Sequence, residues 1–278
     1  MSVRIVATGR TGTIGRHFDP SVVDLGIRLE RPIPNFGESL KNTVVLHSAA
    51  LVGEESVRRD LSYSYSVNVT GAVELARAVC NSSAERFIYV STSHVYERRP
   101  EGTFLNELDS VLPLSHYGLQ KLIAERLISE IFRDDPSRLT IARVFSILHQ
   151  SQPLGTLGFT INNLRHNSEQ QLHFADDVRD FLSPKVVAKT LTLLAKSPAT
   201  PQIVNICSGI PTTVREAVRL LLGDESFRDV QERISRGQSP TPRIVGNSNL
   251  LGEIIQQTGS ELFAASLDDW AGSRSGTE

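Results

Sequence analysis

The chain of 278 residues is poor in cysteine, with Cys80 and Cys207 alone. A disulfide-stapled extracellular scaffold needs more, and two isolated thiols make no metal-spaced cluster. Both are expected as small buried apolar groups, in a protein of the reducing cytoplasm. An excess of one charge is also lacking: 29 Lys+Arg stand against 31 Asp+Glu, a formal charge of -2. A nucleic-acid binder would show a basic surplus, so no such partner is expected. Long apolar runs are missing too. Ala49 to Val52 and Leu220 to Leu222 are core-sized, far short of a membrane span, and the opening Val3 to Ala7 reads as a strand without a charged-then-apolar leader. His17, His116, His149, His166 and His173 are scattered without ligand spacing, so no metal is expected. The remaining composition, 40% hydrophobic and 22% charged, is that of a globular protein and excludes a disordered or fibrous chain. The length suits one large domain or a core with a smaller lobe.

Strand and helix signals alternate along the first half. Val3 to Thr8 reads as a buried strand, followed by glycines that punctuate a turn into a short helix. Thr43 to Ala50 has the unbroken apolar character of a parallel strand covered on both faces. Residues 64 to 80 carry Val67, Val73, Ala76 and Val79 at helical spacing. Phe87 to Val90 is a strand ending in Ser91-Thr92-Ser93. After a loop with Pro100, Gly102 and Pro113, a helix runs from about 116 to 133 with Leu119, Leu122, Ile123 and Leu127 on its apolar side. Leu139 to Val144 and Ile203 to Ile206 are further strands. Ser183-Pro184 caps a helix from Lys185 to Lys196, and Thr213 with Glu216 forms a capping box for a helix closed by Gly223. Residues 146 to 170 are polar and loop-rich, Arg236 to Pro242 is a loop, and Ser273 to Glu278 is a fraying end. This alternation predicts an α/β, Rossmann-like doubly wound parallel sheet with right-handed crossovers.

Thr8-Gly9-Arg10-Thr11-Gly12-Thr13-Ile14-Gly15 lies directly after the first strand. Glycines three apart allow a tight turn and let a pyrophosphate approach main-chain N–H groups at a helix start. The spacing points to dinucleotide binding over a merely structural turn. Only about 30 residues separate Gly15 from His47, where a full unit would hold two strands and two helices. The acidic residue expected at the adenine ribose is therefore hard to place. Glu30 is near a strand end, but Arg28 and Arg31 are as well. Arg10 could face a 2′-phosphate or be a solvated surface charge. The balance leans to NADP over NAD.

Tyr117 and Lys121 are four apart on one helix face. An ammonium beside a phenol favours the phenolate and lowers its pKa, and such a phenol can exchange a proton with a hydroxyl or carbonyl. Thr92, at the end of a parallel strand, stands where α/β sheets place their ligands. The alternative is an ordinary amphipathic helix.

In this order the motifs resemble the extended short-chain dehydrogenase/reductase family of nucleotide-sugar epimerases, dehydratases and ketoreductases. Thr8 to Gly15 is similar to the family's TGxxGxxG turn. His47-Ser48-Ala49-Ala50 resembles its HxAA strand end, and Asn68 the asparagine of the next helix. Tyr89 to Tyr96 looks like its Ser/Thr strand motif, Tyr117 and Lys121 its YxxxK pair. Arg179-Asp180-Phe181 is similar to its RDF segment, and Val204 to Gly209 to its late strand. The resemblance implies Thr92, Tyr117 and Lys121 as the catalytic set. It also implies a cofactor site from Gly9, Arg10, Thr11, Gly12, Thr13, Ile14, Gly15, His47, Ala49, Ala50, Asn68, Tyr117 and Lys121. Ser93, Ser146 and Arg179 would meet a nucleotide sugar. Residues 1–148 and 177–206 would form the dinucleotide core, and 149–176 and 207–278 a smaller C-terminal substrate lobe. A homodimer through the helices at 64–80 and 116–133 is implied as well. Ser93 and His94 replace the Asp-Glu pair of the 4,6-dehydratases, which disfavours a dehydratase and leaves a 4-ketoreductase or an epimerase. His94 stands where some relatives place a second acid/base, or it is a pocket-wall residue. The short first half resembles the 4-dehydrorhamnose reductase branch by length. A non-catalytic dinucleotide-binding regulator of the same fold is the alternative, disfavoured because Tyr117 and Lys121 are both present.

Overall fold

The computed structural model describes residues 3–98, 103–148, 161, 163–164, 166–167, 169–235 and 243–257. Pro100, Gly102, His149, the Arg236 to Pro242 loop and the Ser273 to Glu278 end lie outside them. Six parallel strands form the central sheet: β1 (Arg4–Thr8), β2 (Val22–Asp24), β3 (Thr43–His47), β4 (Arg86–Thr92), β5 (Leu139–Val144) and the Ile203–Ile206 strand. Their spatial order is β2-β1-β3-β4-β5 and then Ile203–Ile206. Every residue of β3, β4 and β5 is buried, which explains their unbroken apolar runs.

Helices cover both faces. On one lie α1 (Glu54–Arg59), α2 (Leu61–Tyr65), α3 (Ala72–Cys80) and α4 (His116–Ile131), with a π turn over Ser66–Gly71 joining α2 to α3. There Val45, Phe87, Tyr89 and Ile141 pack with Leu75, Val79, Ala124 and Ile128. The opposite face buries Leu46, Ile88 and Val144 under Val187 and Leu191 of the Pro184–Lys196 helix and Leu251 and Ile255 of the Asn249–Gln257 helix. Each such buried side chain contributes roughly 1.5–3 kcal/mol. The Asn249–Gln257 stretch thus sits with the sheet rather than with a C-terminal lobe. A separate apolar cluster, with Leu148, Leu172, Phe181, Val214, Val218 and Leu221, lies beyond the strand ends.

The caps follow the sequence. Ser183 accepts from Val186 N–H, and Thr213 and Glu216 form the reciprocal box. Two expectations change. Leu119 and Leu127 of α4 point outward, 47% and 44% exposed, whereas its inner face carries Gly118, Lys121, Ala124, Glu125 and Ile128. Periodicity located an apolar stripe but could not tell which stripe meets the sheet, because the inner one is built from small and charged groups.

The second change concerns the glycine turn, which opens only a single 3-10 turn, Gly15–His17. Pro20 is the cause. The residue before a proline is pushed from helical backbone, and proline supplies no N–H. Phe18 is already extended, with φ -62 and ψ 143, and drops its ring into the core at 4% exposure. From Leu25 to Asn42 the only regular element is the 3-10 turn Gly37–Leu40. The sheet therefore ends at β2, without the outer strand of a full unit.

Candidate active site

The strand order reverses at β1, whose neighbours are β2 and β3, and such a reversal leaves a crevice beyond the carboxyl ends of the strands. The glycine turn lies there. Gly9 has φ +73, and a Cβ on it would come 2.8 Å from the Ala49 nitrogen, so the turn rests against the end of β3. A Cβ on Gly15 would stand 2.0 Å from the Gly9 oxygen. Gly12 N–H closes the turn on that same oxygen at 2.9 Å. Thr11 and Gly12 are exposed at the crest, with Thr13 and Ile14 half-buried behind them.

Beneath the turn, Thr8 Oγ1 bonds His47 Nδ1 at 2.7 Å and accepts from Ala49 N–H at 3.2 Å. Burial, with the nearby Lys121 charge, lowers the His47 pKa to about 3, so His47 is a neutral spacer. Asn68 bonds both the N–H and the carbonyl of Leu51 and donates to Gln120. It therefore shapes the loop that continues from half-buried Ala49 and Ala50.

Thr92 ends β4, with its Oγ1 accepting from His94 N–H at 3.3 Å. Tyr117 is in the first turn of α4, whose start is fixed from two sides. Ser115 Oγ accepts from Gly118 N–H at 3.0 Å, and Glu54 accepts from Tyr117 N–H at 3.1 Å while pairing with His116 at 2.7 Å. Gly118 permits the contact with β4's end, because a Cβ there would lie 2.5 Å from the His94 carbonyl oxygen. This brings the Thr92 side chain within hydrogen-bonding reach of the Tyr117 phenol.

Burial raises the phenol to about 12, offset in part by Thr92. The expected lowering by Lys121 is not found. The Lys121 amine instead lies 4.1 Å over the Tyr89 ring, and burial brings its pKa down to about 7 against the opposing pull of Glu125. It is 2% exposed and has no hydrogen-bond partner among the described residues.

His94 stands at the cleft edge, its ring 6.1 Å from that of Tyr117 at 70°. Although its side chain is exposed at the rim, the protein packed around it and the charges of Arg179 and Arg98 lower its pKa to about 4. Arg179, held by Asp177 at 3.2 Å, thus shares the cleft with His94. Ser93 is 1% exposed with its hydroxyl unpartnered among the described residues. Ser146 is half-buried where its N–H meets the Asp180 carbonyl. Arg10 does not stand free: its Nη1 donates to the carbonyls of Phe18 at 3.1 Å and Gly15 at 3.4 Å.

These residues fit a pyridine dinucleotide. The turn presents Gly12, which has no side chain, exposed at its crest, and the Lys121 amine is buried over Tyr89 one helical turn after Tyr117. The sequence model of the NAD dependent epimerase/dehydratase family matches residues 5–207. The chain belongs to this family.

Among its relatives, dTDP-4-dehydrorhamnose reductase of Aggregatibacter actinomycetemcomitans is 30% identical over 169 residues, 56% of this chain and 53% of that one. The chain therefore spans about half the length of that relative. GDP-6-deoxy-D-mannose reductase of Pseudomonas aeruginosa is 22% identical over 297 residues, 97% of this chain and 98% of its own. Two solved structures share the fold: RMD of Pseudomonas aeruginosa complexed with NADPH (TM-score 0.70, 22% identity, 91% and 92% covered), and DesIV, a dTDP-glucose 4,6-dehydratase of Streptomyces venezuelae with NAD and TYD bound (TM-score 0.75, 18% identity, 98% and 97% covered).

For a member of the NAD dependent epimerase/dehydratase family, two further residues of this site escaped the sequence reading. Glu125 pairs with Arg143 at 2.7 Å, both 3% exposed in their side chains, and accepts from Ser91. Its place four residues after Lys121 was a visible signal. Glu54, which holds the start of α4, gave none, because it lies 63 residues from its Tyr117 partner. Glu30, considered for the ribose, is turned to the Tyr63 hydroxyl at 2.9 Å.

Proposed function

We propose that the protein is an NAD(P)-dependent oxidoreductase or epimerase of nucleotide sugars, acting as a 4-ketoreductase or an epimerase. The observation that supports this reading is the close approach, across Gly118, of the end of β4 with Thr92 and the start of α4 with Tyr117, with Lys121 one helical turn on. The dinucleotide supplies hydride chemistry when bound. Thr92 orients the substrate oxygen by a hydrogen bond. Tyr117, protonated through the neutral range because burial raises its pKa to about 12, delivers a proton to that oxygen in reduction and recovers it in oxidation. Lys121 holds the nicotinamide ribose with its unused donors, and the hydrogen bond from the Thr92 side is what offsets part of the burial that raises the phenol. Arg179 meets the substrate's diphosphate, with Ser93 and Ser146 on the sugar side. Neutral His94 serves as a hydrogen-bond partner or base there, not as an imidazolium acid.

The positions after Thr92 hold Ser93 and His94, so no adjacent carboxylate couple is available for water elimination, which speaks against a dehydratase. Relatives of each reaction type occur in the family, including UDP-glucose 4-epimerase of Yersinia pestis, 33% identical over 117 residues, and a human dTDP-D-glucose 4,6-dehydratase, 27% identical over 188.

Asp24 at the β2 end suits the ribose hydroxyls and repels a 2′-phosphate. With Arg10 bonded to its own turn, the reading shifts from NADP towards NAD. A homodimer through the outer sides of α2 and α4 fits exposed Leu61, Tyr65, Leu119 and Leu127, and a Leu119→Glu, Leu127→Glu variant should sediment as a monomer.

The test is nicotinamide absorbance during incubation with 4-keto and 4-hydroxy nucleotide sugars, for the protein and for Tyr117→Phe. Turnover should fall by about 10²–10⁴ in the variant while its dinucleotide Kd stays unchanged. Unchanged turnover would remove Tyr117 from the chemistry. Cofactor that stays bound through purification favours an epimerase, and cofactor exchanged at each turnover favours a reductase.

A further inference from the structure

Three devices hold a glycine turn in an ordinary unit: its own glycine geometry, the strand before it and the helix after it. The third is missing here. One helical bond forms, Arg16 N–H to the Gly12 carbonyl at 3.1 Å. Two 3-10 bonds follow, His17 to Ile14 and Phe18 to Gly15, and Pro20 ends the series. The carbonyls of Gly12 and Gly15 each keep a second lone pair, and those of Thr11 and Phe18 are also within reach, beside three glycines whose backbone freedom is costly to freeze.

Guanidinium groups take that place. Arg10, inside the turn, reaches forward to the carbonyls of Gly15 and Phe18, while Arg16 reaches back to those of Gly12 and Thr11 at 3.4 Å each. Arg10 is half-buried and Arg16 exposed, so Arg10 is the stronger of the two ties. Its bonds span the whole loop, from the residue after Gly9 to the point where the chain turns into the core at Phe18. A guanidinium suits this because the two N–H bonds of its Nη1 lie in one plane and can each meet a carbonyl, while the charge strengthens both bonds.

We propose that Arg10 is a positioning residue that braces the dinucleotide loop in place of the absent helix, and so serves NAD and NADP alike instead of reading a 2′-phosphate. This rests on the dinucleotide site proposed above. The prediction differs sharply from the phosphate role. As a brace, Arg10 acts on the shape of the loop before any ligand arrives, and its loss weakens every ligand whose pyrophosphate lies on that loop. As a phosphate reader, it would affect NADP alone and leave the empty loop unchanged.

The experiment compares the protein with Arg10→Met and Arg10→Lys in two measurements. Calorimetric Kd values for NADH, NADPH and ADP-ribose should each rise by the same factor in Arg10→Met, about tenfold for the loss of two charge-assisted bonds. Arg10→Lys should recover part of the loss, because an ammonium keeps the charge and the donors on a shorter side chain without the guanidinium's fixed plane. Amide hydrogen exchange without ligand should quicken at Gly12 to Phe18 in Arg10→Met while the amides of β4 and α4 keep their protection. A rise confined to NADPH, or unchanged Kd values for all three ligands, would overturn the brace, as would unchanged exchange at residues 12–18. If the unsubstituted protein bound none of the ligands, the proposed function would fall, and the exchange comparison would still decide the brace.

Discussion

The crossover from β1 to β3 and the one from β4 to β5 do the same topological work with very different material. Residues 9–42 make the first passage with one three-residue strand and two 3-10 turns. Residues 93–138 make the second around the 16-residue α4. The sheet face left bare by the first is not left wet. Phe18 fills part of it, and the Pro184–Lys196 helix packs beside the Gly15–His17 turn. Cover for a sheet can be borrowed from elsewhere in the chain, because burial is non-directional. A Tyr-Lys pair cannot be borrowed in that way. It needs the fixed spacing of one helix, a glycine close approach at Gly118 and a buried carboxylate behind it. In the proposed function the economy falls on the side assigned to the cofactor's adenosine, and the rigidity on the side assigned to the reacting atoms.

The largest effect expected from breaking this contrast is at Glu125. It joins α4 to β4 through Ser91 and to β5 through Arg143. Replacing Glu125 with Ala strands a buried guanidinium and should cost about 3–5 kcal/mol in urea denaturation. A loss below 1 kcal/mol would show that the α4 side is no more rigidly built than the other.

Lys121 comes next. Its pKa of about 7 in the fold lies far below the unfolded value near 10.4, so the unfolded chain binds more protons between those limits and stability rises with pH across that window. The penalty is complete below about pH 7. Lys121→Met should therefore be more stable than the unsubstituted protein at pH 6, on the order of a few kcal/mol, with the gap shrinking towards pH 10. A gap that does not change with pH would show that the amine is not destabilised by burial.

On the economical side, Gly15→Ala places a Cβ against the Gly9 carbonyl. The loop must move, and dinucleotide Kd should rise on the order of tenfold. Global stability should change much less than for Glu125→Ala. The smallest effect is at Asp24, which is exposed. Asp24→Asn should shift the NADH to NADPH preference by about fivefold at most. Equal affinities before and after would assign cofactor choice to another residue.

Much of this was legible because it is local. The buried strands, the Ser183 and Thr213 caps, the glycine turn and the four-residue step from Tyr117 to Lys121 each follow from neighbours in sequence. The strand-order reversal that brings them together was implied by the alternation of elements. What escaped depended on distant partners. That α4 turns Leu119 and Leu127 outward is decided by Glu125 and Arg143, a pair 18 residues apart. The fate of the helix after the glycine turn hung on Pro20, whose breaking effect was readable, and on Phe18 finding a core to enter, which was not. The Lys121 amine resting on Tyr89 instead of lowering the Tyr117 pKa is set by burial, which spacing alone does not report.

The most direct measurement is a crystal structure of the protein soaked with a reduced pyridine dinucleotide. The account predicts the pyrophosphate on the crest at Gly12, the nicotinamide ribose on the Lys121 amine, and the Tyr117 hydroxyl facing the open side of the nicotinamide ring. Density for the dinucleotide elsewhere, or a Tyr117 ring turned out of the crevice with ligand bound, would contradict it.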